Sequence, residues 1–273
     1  MNINVNDIAI TSLETITAFD ILTGDFKFQL DELQSATISQ SQDTTDITGK
    51  GGRKLATLKR NKAVTVSGDN GLVSGGLIEM QTGTAFETKE TTVSWNETVT
   101  IASNKATTSY IAIGTAGAEI ANAYVKKADG TLGTALEQAA TAAEGKFAYA
   151  PANKELTFAG LADGTKVFVT YTRKISANVH ENLSDKYSTY CELFIDAFGE
   201  DTCSNVYRIQ IHIPKADFDG NFDLEMSDNQ TVHSFEATSL AASGCGNSAG
   251  NEGGLWTWTI FASGEADVTA SGN

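Results

Sequence analysis

Six basic residues, Lys50, Arg53, Lys54, Lys59, Arg60 and Lys62, fall within thirteen positions, with no acidic residue between Asp46 and Asp69. Cations clustered beside glycines can hold a phosphate or grip an acidic surface. The GKGGRK run at 49–54 lacks the spacing of a phosphate-binding loop and the helix that should follow it, so nucleotide binding is set aside. Two readings remain for it: a solvated hairpin tip, or a basic loop that docks on an acidic neighbouring subunit. The histidines His180, His212 and His233 lie far apart, with no partner at metal-ligand or triad spacing. Ser41, Ser67 and Ser74 lack the context of a nucleophile elbow. Paired carboxylates such as Asp196/Glu200/Asp201 and Asp217/Asp219 could serve a hydrolase. Any acidic β protein offers such pairs by chance, whereas a glycosidase needs two of them in a cleft with one pKa raised. The DFDGNFD run at 217–223 has a calcium-like look but lacks a twelve-residue loop with its closing glutamate. Trp256 and Trp258 could stack on sugars, or serve a core or a subunit interface. The expectation is no catalytic site, no cofactor and no metal.

Composition narrows the classes further. The 273 residues carry a formal charge of −15, and without the six clustered cations the balance is 13 basic to 34 acidic, or −21. Charge is therefore segregated along the chain. Such acidity repels the phosphate backbone and argues against sequence-specific nucleic-acid binding, yet it suits a wall past which DNA slides. The first residues show no basic, apolar signal pattern, and no run approaches a membrane helix. Cys191, Cys203 and Cys245 are odd in number and fit reduced thiols, although Cys191 and Cys203 could bridge a hairpin. The sequons at Asn96, Asn182 and Asn229 are incidental without a secretory signal.

The elements that must position these residues are mostly strands. Two prolines against 25 glycines, with abundant Thr, Ser, Asn and Asp, make a turn-rich β composition. Phe26, Phe28 and Leu30 alternate, as do Ile209, Ile211 and Ile213 before Pro214, which is expected to end its strand. Residues 35–48 are β-prone and polar on both faces. Glycines 49, 51 and 52 mark a hairpin, and a strand resumes with Val64 and Val66 on one face. Ser74 is placed to cap a short helix that Gly83 ends. Residues 86–101, 155–158, 166–172, 190–198 and 255–261 read as strands, as does the alternating piece at 222–226, and 234–242 is a last amphipathic piece. Residues 134–145 could be a helix or a loop. The expected organisation is a discontinuous core domain, 1–104 and 175–262, a β-rich insert at 105–174, and a frayed tail at 263–273, after a glycine-rich loop at 243–254.

The run ITGKGGRKLATLKRNKAVTVSGDNGLVSGGLIEMQTG at 47–83 resembles the major tail tube proteins of long-tailed bacteriophages. The segment at 203–237 looks like the closing half of that fold, and 148–172 is similar to strand pairs of phage structural proteins. The resemblance implies a mainly β fold, a β-sandwich or barrel with a short flanking helix, without enzyme activity. It implies stacked rings of six copies in a virion tail, assembled in the host cytoplasm, with a lumen that conducts DNA. Ser39, Ser41, Asp43 and Thr45, with Thr65 and Ser67, would belong to lumen-lining strands. The loop 49–61, with Lys50, Arg53, Lys54, Lys59 and Arg60, would touch the next ring. Partners would be further copies of the chain and tape-measure, tail-terminator and baseplate or tip proteins, with DNA passing non-specifically and no membrane. The rival readings are a capsid decoration or tail terminator protein, a carbohydrate-binding β-sandwich, and an acidic hydrolase.

Overall fold

The computed structural model describes residues 5, 7–226, 231–241 and 253–262. Cys245, the sequon at Asn229, most of the glycine-rich loop and the tail at 263–273 lie outside the described residues. The fold is mainly β with curled sheets and one α-helix among the described residues. The chain divides into two compact units: residues 1–86 with 180–273, and residues 87–179. Beside the expected insert at 105–174, the second unit therefore also takes in 87–104 and 175–179.

The first unit opens with strands β1 (Ile8–Phe19), β2 (Phe26–Leu30), β3 (Leu33–Thr48) and β4 (Lys54–Asn70), then helix α1 (Gly75–Thr82). The second holds β5 (Glu87–Thr100), β6 (Lys105–Thr107), β7 (Ile120–Lys126), β8 (Leu132–Gln138), β9 (Lys146–Ala150), β10 (Glu155–Phe158) and β11 (Lys166–Val179). The chain returns to the first unit with β12 (Tyr190–Asp201), β13 (Val206–Phe218), β14 (Leu224–Met226), β15 (Thr231–Ser239) and β16 (Thr257–Ala262).

In the first unit the order is β2-β1-β12-β13-β15-β4-β3, with β14 on β15 and β16 on β13. β1 nevertheless approaches β3, several strands away in the ladder, so the sheet curls on itself. Its concave face buries Ile16, Leu30, Val66, Leu193, Ile213, Phe218 and Phe235. Alternation along the strands supplies this face, one residue in two. Helix α1 closes the core with Leu77 and Met80. Ser74 Oγ accepts the Leu77 N–H at 3.3 Å and caps the helix, and Gly83 ends it at φ 71°. A Cβ on Gly76 would stand 2.7 Å from Phe28 Cβ, so the glycine that weakens the helix is what lets it sit against β2.

Pro214 does not end its strand, because β13 runs on to Phe218. Residues 207–212 pair with β16 and residues 216–218 with β15, and the register against β12 also shifts here. Proline sits at the switch between two partners, where the ladder already breaks. Cys191 is buried and Cys203 exposed, both free thiols, so the bridge between them is not made. Burial pushes the Cys191 thiol well above its ordinary pKa.

In the second unit the order is β5-β11-β7-β8-β9-β10-β6, around a core of Val99, Ile101, Phe147, Leu156, Val167, Val169 and Tyr171. Residues 132–138, which overlap the stretch expected as helix or loop, form strand β8 instead, held between β7 and β9. The alanine-rich composition favours a helix. Pairing on two edges overrides that local preference.

Candidate functional site

The longest element is the β3–β4 hairpin, and it changes character halfway. From Leu33 to Gln40 and from Val64 to Asn70 it belongs to the curled sheet. Val64 and Val66 are buried there, with Ile38 opposite Val66 and half-buried. The strand expected to be polar on both faces is thus one-sided up to Gln40. Beyond it, every residue from Ser41 to Thr48 and from Lys54 to Ala63 is exposed. That stretch is an arm, and at ~3.3 Å per residue it reaches about 25 Å from the sheet.

A β-bulge marks the base of the arm. Ser41 faces Ala63 and Asp43 faces Arg60, so Asn61 and Lys62 together oppose Gln42. Asn61 takes the left-handed conformation at φ 49°, and its Nδ2 donates to Asp43 Oδ2 at 2.9 Å. Asparagine tolerates that conformation better than most residues. A bulge adds twist and re-aims the hairpin beyond it. At the tip, Gly49 N–H donates to Arg53 O at 2.8 Å, and Gly51 and Gly52 adopt φ 78° and 76°. A residue with a Cβ would be strained at both.

The arm carries six basic and two acidic residues between Ser41 and Ala63, a net of +4. The rest of the first unit carries four basic against 23 acidic, a net of −19, and the second unit balances nine against nine. Lys54 pairs with Asp46 at 2.7 Å, and Thr57 Oγ1 donates to the same carboxylate oxygen at 3.0 Å. Among the described residues, Lys50, Arg53, Lys59, Arg60 and Lys62 form no ion pair. The arm also exposes Ile47, Leu55 and Leu58. Cations without ion-pair partners and uncovered apolar side chains thus share one projecting hairpin.

The loop expected over 49–61 is largely strand. Lys50 and Arg53 lie at the turn, while Lys54, Lys59 and Arg60 ride on β4. The polar candidates divide at the bulge. Ser39 pairs with Thr65 and Thr37 with Ser67, on the sheet face opposite Ile38 and Val66, and Ser41 continues that row. Asp43 lies in the arm opposite Arg60, and Thr45 opposite Leu58. β15 extends the polar face, with Glu236 opposite Ser67 and Thr238 opposite Thr65. A cleft of about 750 Å³ lies along it, lined by Ser35, Thr37, Ser67, Asp69, Asp223 and Glu236 among others. The sequence reading missed the contribution of β15, whose signal was the alternation of buried Phe235 and Ala237 with exposed Glu236 and Thr238.

The other candidates take structural places. His233 is fully buried, its Nδ1 accepting the Ser74 N–H at 3.3 Å and its Nε2 3.0 Å from Gln81 Oε1. Burial lowers its pKa. His212 Nε2 lies 2.7 Å from Glu192 Oε1 and stacks on Phe194. His180 Nε2 lies 3.3 Å from Thr82 Oγ1. Asp201 accepts from Asn205, Cys203 and Tyr207 and is held at about 2, chiefly by the Asn205 side chain. Trp256 and Trp258, ring centres 6.3 Å apart, line an apolar groove with Ile10, Leu13, Ile209 and Ile211. No group of three or more possible metal ligands occurs among the described residues, and no helix there is long and apolar enough to cross a membrane.

Residues 8–251 match the family model described as the YomU/Tube protein family. No curated protein matches the chain.

Proposed function

The chain belongs to the YomU/Tube protein family, a phage tail tube structural protein family, and from that membership we propose that it assembles as stacked rings whose lumen conducts DNA. The observation that carries the proposal is the basic arm. It is exposed from Ser41 to Thr48 and from Lys54 to Ala63, and charged oppositely to the body that bears it. An element that its own copy leaves uncovered finds cover on another copy. Body surfaces of like sign repel, and an arm of +4 supplies attraction between them at the distance where rings meet. A contact made by one patch on a different patch of the next copy is heterologous, and it closes into rings or propagates as a tube.

The polar face of β3, β4 and β15 supports the second half of the proposal. Thr37, Ser39, Thr65, Ser67, Glu236 and Thr238 form a surface without a cation that could hold phosphate. Such a face lets DNA pass without adhering. The outer edge of β3 has no partner strand within the described residues, and edge pairing between copies would close a barrel. Self-association is the primary partnership, with tape-measure, terminator and tip proteins at the ends. Negative-stain micrographs of the purified protein test the proposal. Rings or tubes are expected, and a monomer that persists at high concentration opposes it.

A further inference from the structure

The second unit contains a cleft that tube assembly does not explain. The segment 108–113, between β6 and β7, is fixed at both ends. Ser109 donates to Glu97 twice, N–H to Oε1 at 2.8 Å and Oγ–H to Oε2 at 2.5 Å. Tyr110 N–H donates to Tyr171 Oη at 3.3 Å, Ala112 N–H to Tyr149 Oη at 2.9 Å, and Ile113 N–H to Thr172 O at 2.9 Å. A segment held this firmly nonetheless presents Tyr110 and Ile111 to water, 41% and 51% exposed.

Arg173 of β11 reaches this segment. Its guanidinium carbon lies 3.4 Å from the centre of the Tyr110 ring and 5.1 Å from that of Trp95. Nε and Nη1 are shut off from water with no hydrogen-bond partner. Glu97, the carboxylate that anchors the segment, spends its oxygens on Ser109 and Tyr171. A ring face compensates a partly desolvated cation only in part, and two guanidinium nitrogens shut off from water without an acceptor are costly. Beside it lies a cavity of about 470 Å³, within the range of small-ligand sites. Tyr110, Ile111, Ile113, Lys154, Arg173 and Lys174 line it, and no carboxylate among the described residues does. Lys174 pairs with Glu90, and Lys154 Nζ donates to Ser109 O at 3.2 Å. Among the described residues, Arg173 and Lys154 have no anion in this cleft, and of the two Arg173 has nitrogens shut off from water without a partner.

We propose that this cleft binds a small organic anion, its carboxylate or phosphate taken by Arg173 and its apolar body resting on Ile111 and Ile113. Guanidinium is the side chain best shaped for such oxyanions. Tyr110, whose backbone is fixed and whose ring is exposed, is the group that turns aside to admit it.

Calorimetric titration of the full chain with phenyl phosphate tests the assignment. A dissociation constant on the order of 1 mM is expected for so small a ligand. Arg173→Met weakens binding at least tenfold, inorganic phosphate alone binds at least tenfold more weakly, and benzyl alcohol does not bind. Equal binding by R173M, by inorganic phosphate or by benzyl alcohol overturns the proposal. If R173M fails to fold, Lys154→Met and Lys174→Met decide. Each weakens phenyl phosphate several-fold on the proposal, and no change in either overturns it. Binding that vanishes when copies assemble would mean that a carboxylate of a second copy fills the cleft, and it would overturn the small-ligand assignment.

Discussion

Reversing three arm cations tests the electrostatic part of the account. The variant Arg53→Glu, Lys59→Glu and Arg60→Glu takes the arm from +4 to −2, since each change shifts the charge by two. Lys54 is left in place because it holds Asp46 within the arm. An exposed ion pair contributes about 0.2–1 kcal/mol. Reversal removes that attraction and adds a repulsion of similar size, so each position costs about 1 kcal/mol and the three together ~3 kcal/mol per contact, roughly a hundredfold in association. The fold should be untouched, because the three side chains are exposed and bond to no part of the body. Thermal melting by circular dichroism should therefore agree with the parent within about 0.5 kcal/mol. Sedimentation across a salt series reads assembly. The parent should lose long assemblies as salt rises, since screening shortens the reach of the arm, while the variant should fail to stack already at low salt. A variant that stacks as well as the parent and resists salt equally would refute the reasoning.

Two further predictions concern helix α1. Ser74→Ala removes the cap on the Leu77 N–H and should cost about 1 kcal/mol in urea unfolding, without altering the arm. His233 is neutral and accepts the Ser74 N–H, so acid works against it. Its folded pKa is depressed, so the unfolded chain binds the proton more readily. Its contribution is present above the ordinary histidine range and is lost as pH falls through and below about 6.5. His233→Gln should flatten the dependence of melting temperature on pH between about 7 and 5, and an unchanged slope would show that His233 does not couple to folding.

The fold was legible wherever period and punctuation agreed. Ile209 and Ile213 turned inward as their alternation demanded, and Ser74 with Gly83 bounded α1. Tertiary pairing hid the rest. Residues 134–138 are strand because β7 and β9 hold them, and no local propensity carries that information. Pro214 reads as a stop until two different partners meet on either side of it. The basic segment was visible as charge, but its geometry was not. Glycines at 49–52 announced a turn, whereas the strand character of Lys54–Ala63 came from pairing with β3. Asn61 was the one local trace of the bulge, and its meaning depends on which residue it faces. The polarity of 35–48 averaged two environments, a one-sided sheet before Gln40 and an uncovered arm beyond it, and only the register separates them. The unpaired guanidinium of Arg173 left no sequence signal, because its isolation is a fact of three dimensions.

The most direct measurement is negative-stain microscopy of two proteins side by side, the full chain and a form whose arm is replaced. Ser41 and Ala63 face each other across the hairpin, so residues 42–62 can give way to an Asn-Gly turn without disturbing the sheet. The account predicts rings and tubes for the full chain, and at most separate rings for the shortened one. Tubes of equal length from both would contradict it, as would a full chain that remains monomeric at high concentration.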